Sequence, residues 1–244
     1  MSRKKDGIYI YQEMHTTALN KLDQKIKRRK PKLVNVLIQI AKKQAEAEDK
    51  AGARQTLKEA LEVTKKINNK RTQSWKLEAI ANIQAEVAKA QAKAGDIKGA
   101  RKTFEEAIKT ARGIDGEWNR SWVLMEVARA QAEAGDIEGA KETAIGIDNK
   151  YQKSKTLREI ASVQIDVAKG QAKAGDIKGV KQTLKDAKET ARGVDDEYYR
   201  IWALKEISKA IREVLNQLLT NAKDQAEAGD IEGASQTRKE ANST

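Results

Sequence analysis

The chain of 244 residues contains no cysteine, one histidine and one proline. The lack of cysteine excludes disulfide scaffolds, thiol nucleophiles and cysteine-ligated zinc. The single histidine, His15, leaves little room for a catalytic triad or for a metal site with several histidine ligands. We therefore expect neither a bound metal nor any other cofactor.

Apolar runs in the sequence are also short. None approaches the ~20 residues that a membrane-spanning helix requires, and the N-terminal segment lacks the uninterrupted apolar stretch of a secretory signal. One proline and 15 glycines argue against a loop-rich or β-sandwich protein, whereas 34% charged residues favour helices. The composition predicts an all-α protein, which we expect in the cytoplasm.

One ten-residue segment recurs along the chain. Four copies read Gln-Ala-(Lys/Glu)-Ala-Gly-Asp-Ile-(Lys/Glu)-Gly-(Ala/Val), starting at Gln91, Gln131, Gln171 and Gln225, and a degraded copy starts at Gln44. The spacings between the starts are 47, 40, 40 and 54 residues, so the longer ones exceed the shorter by multiples of seven. Because seven residues make about two helical turns, such insertions lengthen a helix and nearly preserve its buried side. The spacing therefore indicates a helical-repeat protein.

Each repeat is predicted to be a pair of helices joined by Ala-Gly-Asp. Glycine can adopt the left-handed conformation that ends a helix, and aspartate can cap the next one. In the second helices, apolar residues, most of them small, recur at i, i+4 and i+7, as at Ala100, Phe104 and Ala107. The last copy carries Arg238 at the large apolar position, which is typical of a terminal repeat with a solvated outer side. The predicted helices span residues 32–48, 51–66, 71–94, 97–112, 117–134, 137–145, 151–174, 177–192, 197–228 and 231–241.

The positions around the turn resemble those of the tetratricopeptide repeat. Alanine stands eight residues before the turn aspartate, as at Ala88, and alanine, a large apolar residue and alanine follow it, as at Ala100, Phe104 and Ala107. The resemblance covers residues 32–244, with a period of 40 or more residues and no closing proline. It implies a right-handed α-solenoid of about five stacked helix-turn-helix repeats over residues 31–244, preceded by a basic arm or capping helix over residues 1–30. Other helical-hairpin repeats, including the RNA-reading pentatricopeptide class, share the same pattern.

The net charge of +12 is concentrated at the N-terminus. Residues 1–43 contain 12 Lys and Arg against 3 Asp and Glu, a net charge of +9. Three interpretations of this arm compete: a capping helix with a solvated charged end, a segment that binds nucleic acid or another polyanion, and a segment that docks on an anionic membrane surface or an acidic partner. Its candidate binding residues are Lys25, Lys27, Arg28, Arg29 and Lys30.

A second basic feature runs through the repeats. Seven residues before each turn aspartate, counted from Asp49 in the degraded copy, stand Lys42, Lys89, Arg129, Lys169 and Lys223. The resemblance implies that this basic ladder faces a concave groove suited to an acidic peptide or to phosphates. Four positions further on stand Glu46, Lys93, Glu133, Lys173 and Glu227, so ordinary i, i+4 salt bridges are the alternative at the three rungs followed by glutamate. Lys89 with Lys93, and Lys169 with Lys173, are the rungs most open to a ligand.

Glutamine stands two residues after the basic ladder in every copy, at Gln44, Gln91, Gln131, Gln171 and Gln225. Two residues turn a helix by about 200°, so these amides point away from the ladder. We expect them to form hydrogen bonds across helix interfaces, with contact to a ligand as the alternative.

Aromatic residues open the first helices at Trp75, Trp118, Trp122, Tyr151, Tyr198 and Trp202. Their recurring helical spacing allows a ridge of rings interleaved with Arg120, Lys153 and Arg200. Packing between repeats is the interpretation we favour, and stacking on bases or lining an aromatic groove are the alternatives.

No motif in the sequence predicts catalysis. Residues 135–141, Gly-Asp-Ile-Glu-Gly-Ala-Lys, are one residue short of a phosphate-binding loop and lack the hydroxyl residue after the lysine. We therefore predict a non-catalytic scaffold that binds a protein or peptide partner, with acidic character, through its concave groove. The alternative is an RNA- or DNA-binding repeat protein that uses the arm and the ladder. Assembly into a homo-oligomer is compatible with either hypothesis.

Overall fold

A computed structural model describes residues 30–241 of the chain. These residues form ten helices and no strand, as the sequence predicts, and every helix begins and ends within two residues of its predicted bounds. The helices are α1 (Lys30–Glu46), α2 (Lys50–Lys65), α3 (Lys70–Lys93), α4 (Ile97–Arg112), α5 (Glu117–Glu133), α6 (Ile137–Ile145), α7 (Lys150–Lys173), α8 (Ile177–Arg192), α9 (Glu197–Glu227) and α10 (Ile231–Ala241).

The basic arm falls largely outside the described residues. His15, Lys25, Lys27, Arg28 and Arg29 all precede residue 30, so the predictions made for them stay predictions. The last residue of the arm, Lys30, opens α1, and its Nζ donates a hydrogen bond of 2.9 Å to the carbonyl of Lys66.

The turns between paired helices have the geometry that their residues favour. Gly95 has φ +83°, a left-handed conformation that costs glycine little. Asp96 then caps α4, since its Oδ1 accepts a 2.9 Å hydrogen bond from the backbone N–H of Gly99. The degraded first copy has Glu48 in place of this glycine, at φ +66°.

The glutamine column joins the two helices of a pair, which confirms the expected role in four of its five copies. The side-chain carbonyl oxygen of Gln91 accepts a 2.7 Å hydrogen bond from the hydroxyl of Thr103, twelve residues later. Gln44, Gln131 and Gln225 accept equivalent bonds from Thr56, Thr143 and Thr237. The cap and the amide fill the space beside the second helix, where a Cβ on Gly99 would lie 2.0 Å from Asp96 Oδ2. We call this turn, cap and glutamine arrangement the hairpin joint.

The first of two compact units contains residues 30–149 of the described chain. Its three helix pairs are α1 with α2, α3 with α4, and α5 with α6. Helix α3 is buried on two sides: Ile80 and Val87 pack with α1 and α2, whereas Leu77 and Ala81 pack with α4 and α5. Each first helix thus lies against the next, which is the stacking expected of an α-solenoid.

The second unit, from residue 150 onwards, contains the pairs α7 with α8 and α9 with α10. Helix α9 packs against both α7 and α8, so this unit repeats the stacking pattern. Val180, Leu184 and Ala187 form the buried stripe of α8. Arg238 is exposed on α10, as expected for a terminal repeat. Within the described ranges no helix is long and apolar enough to cross a membrane.

Candidate interaction surface

The aromatic residues and the basic ladder lie on the same face of the first helices. Trp75 and Lys93 are 18 residues apart on α3, and so are Tyr151 and Lys169 on α7. Eighteen residues make about five turns of helix, so each pair points the same way. We call this side of the first helices the outer face; it is the side on which the groove is predicted. It carries rings toward the start of a helix and basic groups toward its end.

Our favoured expectation for the rings, packing between repeats, is wrong for most of them. Trp118 is 57% exposed and Tyr198 is 72% exposed. Trp75, Trp122 and Tyr151 are also exposed, and only Trp202 is partly buried. Helical periodicity brings these residues to one face, and most of them stay exposed there. Among the described residues, Tyr151 and Trp202 each contact a side chain of the neighbouring first helix.

Two arginines stack on rings of the outer face. The guanidinium of Arg71 lies 4.7 Å from the ring centre of Trp75. In the second unit, Arg158 lies 4.6 Å from the ring of Trp202 and 5.6 Å from that of Tyr199. These distances are typical of cation–π contacts, which hold each ring in a fixed orientation.

Tyrosines form a small cluster at the start of α7 and α9. Tyr151 and Tyr198 each meet the ring of Tyr199 edge-on, at centre-to-centre distances of 5.6 and 5.4 Å. A hydrogen bond with the Tyr151 hydroxyl raises the pKa of Tyr199 to about 12, with burial as the second cause.

The basic residues interleaved with the rings contact the loops between repeats. Arg120 pairs with Asp148 at 2.8 Å and donates to the carbonyl of Ile114. Lys153 pairs with Asp195 at 3.3 Å, and Arg200 donates to the carbonyl of Val194. They hold the loops between repeats and do not stack on the aromatic residues of the face.

Two rungs of the basic ladder pair with acidic residues of the next first helix. Lys89 on α3 forms a salt bridge with Glu133 on α5, and Lys169 on α7 lies 2.7 Å from Glu213 on α9. The hydrogen bond between Lys169 and Glu213 raises the pKa of Lys169 and lowers the pKa of Glu213. These two rungs therefore link neighbouring repeats.

Two of the other three rungs make the i, i+4 contacts that were the alternative interpretation. Arg129 pairs with Glu126 and lies 3.9 Å from Glu133, and Lys223 lies 3.5 Å from Glu227. At the first rung, Lys43 forms the 2.7 Å salt bridge with Glu46 in place of Lys42. Lys42 itself is exposed.

Lys93 and Lys173 end the outer face with unpaired charge. Both are exposed in the last turn of their helices, α3 and α7. Among the described residues neither has an acidic partner within salt-bridge distance. A cation at this position is favoured by the partial negative charge of the helix end, and it remains available to a negatively charged ligand.

A column of buried serines, which the sequence did not lead us to predict, joins successive repeats. Ser74 accepts a 3.0 Å hydrogen bond from the backbone N–H of Asp115, and Ser154 accepts one of 3.1 Å from that of Asp196. Ser121 does the same for Asn149 at 3.2 Å. The signal is a serine three residues before Leu77, Leu124 and Leu157.

The outer face offers both apolar contact and positive charge to a ligand. Exposed rings offer apolar area and π faces, and the terminal lysines offer positive charge. No group of three or more histidine, aspartate or glutamate side chains in the described part of the chain is arranged to hold a metal ion.

Comparison with known proteins assigns no family to the chain. No protein-family model matches it, and no curated protein matches it either. Two solved structures are similar at 16% identity: a circular tandem repeat protein with novel repeat topology and enhanced subunit contact surfaces (98% of this chain, 63% of that chain, TM-score 0.35), and Ton1535 from Thermococcus onnurineus NA1 (99% of this chain, 76% of that chain, TM-score 0.36). The chain thus spans 63% of the length of the first of these structures. At these TM-scores neither similarity bears on its function.

Proposed function

We propose that the chain is a non-catalytic, tetratricopeptide-like repeat protein of the cytoplasm that binds an acidic segment of a protein partner along the outer face. The observation that carries this proposal is the exposure of large rings in line with unpaired lysines. Exposed aromatic residues at adjoining positions are typical of binding surfaces, because they bury much apolar area with little loss of side-chain entropy.

The charges of the outer face favour an acidic partner. Lys93 and Lys173 are free to pair with carboxylates of the partner. Lys89 and Lys169 are partly exposed and already hold carboxylates of their own chain at hydrogen-bond distance, so this spacing accommodates an acidic group. The rings would supply most of the affinity, and the lysines would select for negative charge.

The second candidate function is binding of single-stranded RNA or DNA. The observation that favours it is the arginine–ring pair, Arg71 over Trp75, because a ring with an adjacent cation can stack on a base beside its phosphate. The basic segment of residues 1–43, with a net charge of +9, would add contacts to the nucleic-acid backbone.

Selection of ligands by the full-length chain separates the two candidates. The immobilised protein is offered a library of displayed random peptides and, in parallel, a pool of single-stranded RNA. We expect enriched peptides to be acidic and to contain an apolar residue. Enrichment of RNA alone would contradict the proposal and favour the second candidate.

Matched variants then locate the contact. The double variant Trp75→Ser, Trp118→Ser should lower the affinity for a selected peptide at least about tenfold. Lys93→Glu should lower it about two- to fivefold. Ile145→Ser and Lys102→Glu serve as controls, because Ile145 and Lys102 are exposed on second helices, which do not carry the outer face. Equal loss of binding in the controls would contradict this location of the site.

A further inference from the structure

One stripe of residues along the first helices is buried in α3 and α7. In α7 the spacings alternate between three and four residues, and the stripe reads Ser154, Leu157, Ala161, Gln164 and Ala168. In α3 the same residue types recur, again buried, at Ser74, Leu77, Ala81, Gln84 and Ala88. In both helices, residues of the paired second helix and of the next first helix pack on this stripe.

The corresponding stripe of α9 is apolar and partly uncovered. Counted 47 residues on from α7, it reads Ile201, Leu204, Ser208, Ile211 and Leu215. Ile201 is 46% exposed, Ser208 is exposed, and the other three are partly exposed. Helix α9 packs against α7, α8 and α10, and no further repeat follows this pair in the described chain. Large apolar residues therefore replace serine, glutamine and alanine where the stripe is least covered.

This stripe of α9, which we call the end stripe, has the opposite composition from that expected of a terminal repeat. A terminal repeat exposes polar residues to solvent, and α10 does so at Arg238. An exposed apolar stripe with a polar rim is typical of an interaction site. Alternating spacings of three and four residues are the pattern by which one α-helix packs along another. The end stripe therefore suits a helix that lies where the first helix of a further repeat would lie.

Basic side chains flank the end stripe. A shallow cavity of about 500 Å³ runs along its first half, with a lining that includes Ile201, Leu204, Lys205, Glu206, Lys209 and Arg212. Lys209 lies 3.9 Å from Glu213. Lys205 and Arg212 are exposed, and in the part of the chain that the structure covers neither has an acidic partner within salt-bridge distance. Positive charge is therefore in excess beside the apolar residues.

We propose that the end stripe binds an amphipathic α-helix of a partner protein, with acidic residues beside its apolar side. Charge complementarity selects this occupant. A second copy of the chain would place Lys205 and Arg212 opposite the same basic residues. Residues 1–29 of the chain contain eight Lys and Arg against three Asp and Glu, so they would also be repelled. The end stripe is separate from the outer face, and its assignment does not rest on the function proposed for that face.

Two synthetic helical peptides test the chemistry of the site. Each has three heptads with leucine at the first and fourth positions, and the positions beside the leucines are all glutamate in one peptide and all lysine in the other. Fluorescence anisotropy of the labelled peptides measures their affinity for the full-length chain. We expect the glutamate peptide to bind at least about tenfold more tightly than the lysine peptide. Equal binding of the two peptides, or binding of neither, would overturn the proposal.

Matched variants test the apolar residues. Ile201→Ser with Ile211→Gln gives α9 the residues that α7 has at these positions, and it should lower the affinity for the glutamate peptide at least about tenfold. Val167→Ser changes an exposed apolar residue of α7 outside the stripe and should leave the affinity unchanged. Circular dichroism checks that each variant is folded. Unchanged binding in the folded double variant would refute the assignment.

A charge reversal tests the basic flank without altering any buried residue. Lys205→Glu with Arg212→Glu should make the chain prefer the lysine peptide. Lys178→Glu with Lys185→Glu makes the same change at the same spacing on exposed positions of α8, and it should preserve the preference for the glutamate peptide. An unchanged preference in the α9 variant would contradict the proposal.

Three further measurements separate the end stripe from other occupants and from the outer face. The variant Trp75→Ser, Trp118→Ser should bind the glutamate peptide as the unaltered chain does, and loss of binding in this variant alone would assign the peptide to the outer face. Sedimentation should show no dimer that Ile201→Ser with Ile211→Gln dissociates, since such a dimer would mean that a second copy covers the stripe. Binding to phosphatidylserine vesicles that the same double variant abolishes would instead assign the stripe to a membrane surface and overturn the proposal.

Discussion

The hairpin joint and the outer face of the first helices differ in how closely the repeats resemble one another. At the hairpin joint the copies are nearly alike: each has an aspartate before the second helix, a glycine three residues after it, and a glutamine that in four of five copies accepts a hydrogen bond from a threonine. On the outer face the copies differ, since rings are tryptophan or tyrosine and rungs bond within or between helices. The repeated residues define the fold, whereas the varied residues give each repeat its own surface.

The largest expected contrast between the two sides is between two large aromatic residues. Phe104 is 1% exposed, so Phe104→Ala should lower the free energy of unfolding by about 3–5 kcal/mol through the cavity it leaves. Trp118 is 57% exposed, and Trp118→Ala should change that free energy by less than about 0.5 kcal/mol. Urea unfolding followed by circular dichroism measures both. Similar losses in the two variants would mean that the outer face is a packing surface.

Two glycines sharpen the comparison. A Cβ on Gly99 would displace the capping carboxylate of Asp96, so Gly99→Ala should lower the free energy of unfolding by about 1–2 kcal/mol. A Cβ on Gly170 meets nothing within 4 Å, so Gly170→Ala should raise it by about 0.5–1 kcal/mol. The same unfolding experiment gives both values. A stabilised Gly99→Ala would rule out the crowding described for the hairpin joint.

The degraded first copy offers a smaller test of the hairpin joint. Glu48 holds φ +66°, where the other turns have glycine. Glu48→Gly should raise the free energy of unfolding by about 1 kcal/mol, because glycine adopts this conformation without a Cβ clash. Gly95→Ala, as the reverse change in a regular copy, should lower it by a similar amount. If the two changes shift the unfolding midpoint in the same direction, the conformation is not what distinguishes the copies.

The smallest stability effect is expected on the outer face, at the salt bridge between Lys169 and Glu213. Its contribution is present above the unfolded-state pKa of Glu213 and is lost as pH falls through the lowered folded-state pKa. It is likewise lost as pH rises through the raised pKa of Lys169. Lys169→Met should therefore raise the pKa of Glu213 toward its ordinary value. A titration of side-chain carboxyl resonances by NMR measures this, and an unchanged pKa would show that the pair does not form in solution.

Local chemistry explains why so much of the fold could be predicted from the sequence. The Ala-Gly-Asp turns mark helix ends because glycine stops and aspartate caps require only neighbouring residues. The recurrence of Gln91 and its counterparts, on the side away from the basic ladder, was enough to predict hydrogen bonds between paired helices.

Features that depend on the register between helices could not be predicted in the same way. The salt bridge from Lys89 to Glu133 joins residues 44 positions apart, and nothing in either helix alone specifies it. Helical periodicity placed Trp75 and Trp118 on a shared face but could not tell whether another helix covers it.

The indole resonances of the chain test the proposed binding face most directly. The four tryptophans of the sequence are Trp75, Trp118, Trp122 and Trp202, and all four belong to the aromatic set of the outer face. An acidic peptide selected by the protein is titrated into the labelled full-length chain, and the indole N–H signals are followed by NMR. The proposal predicts that the Trp75 and Trp118 signals shift together with the binding curve and that Lys93→Glu weakens the response. Saturable peptide binding with all four indole signals unchanged would contradict it.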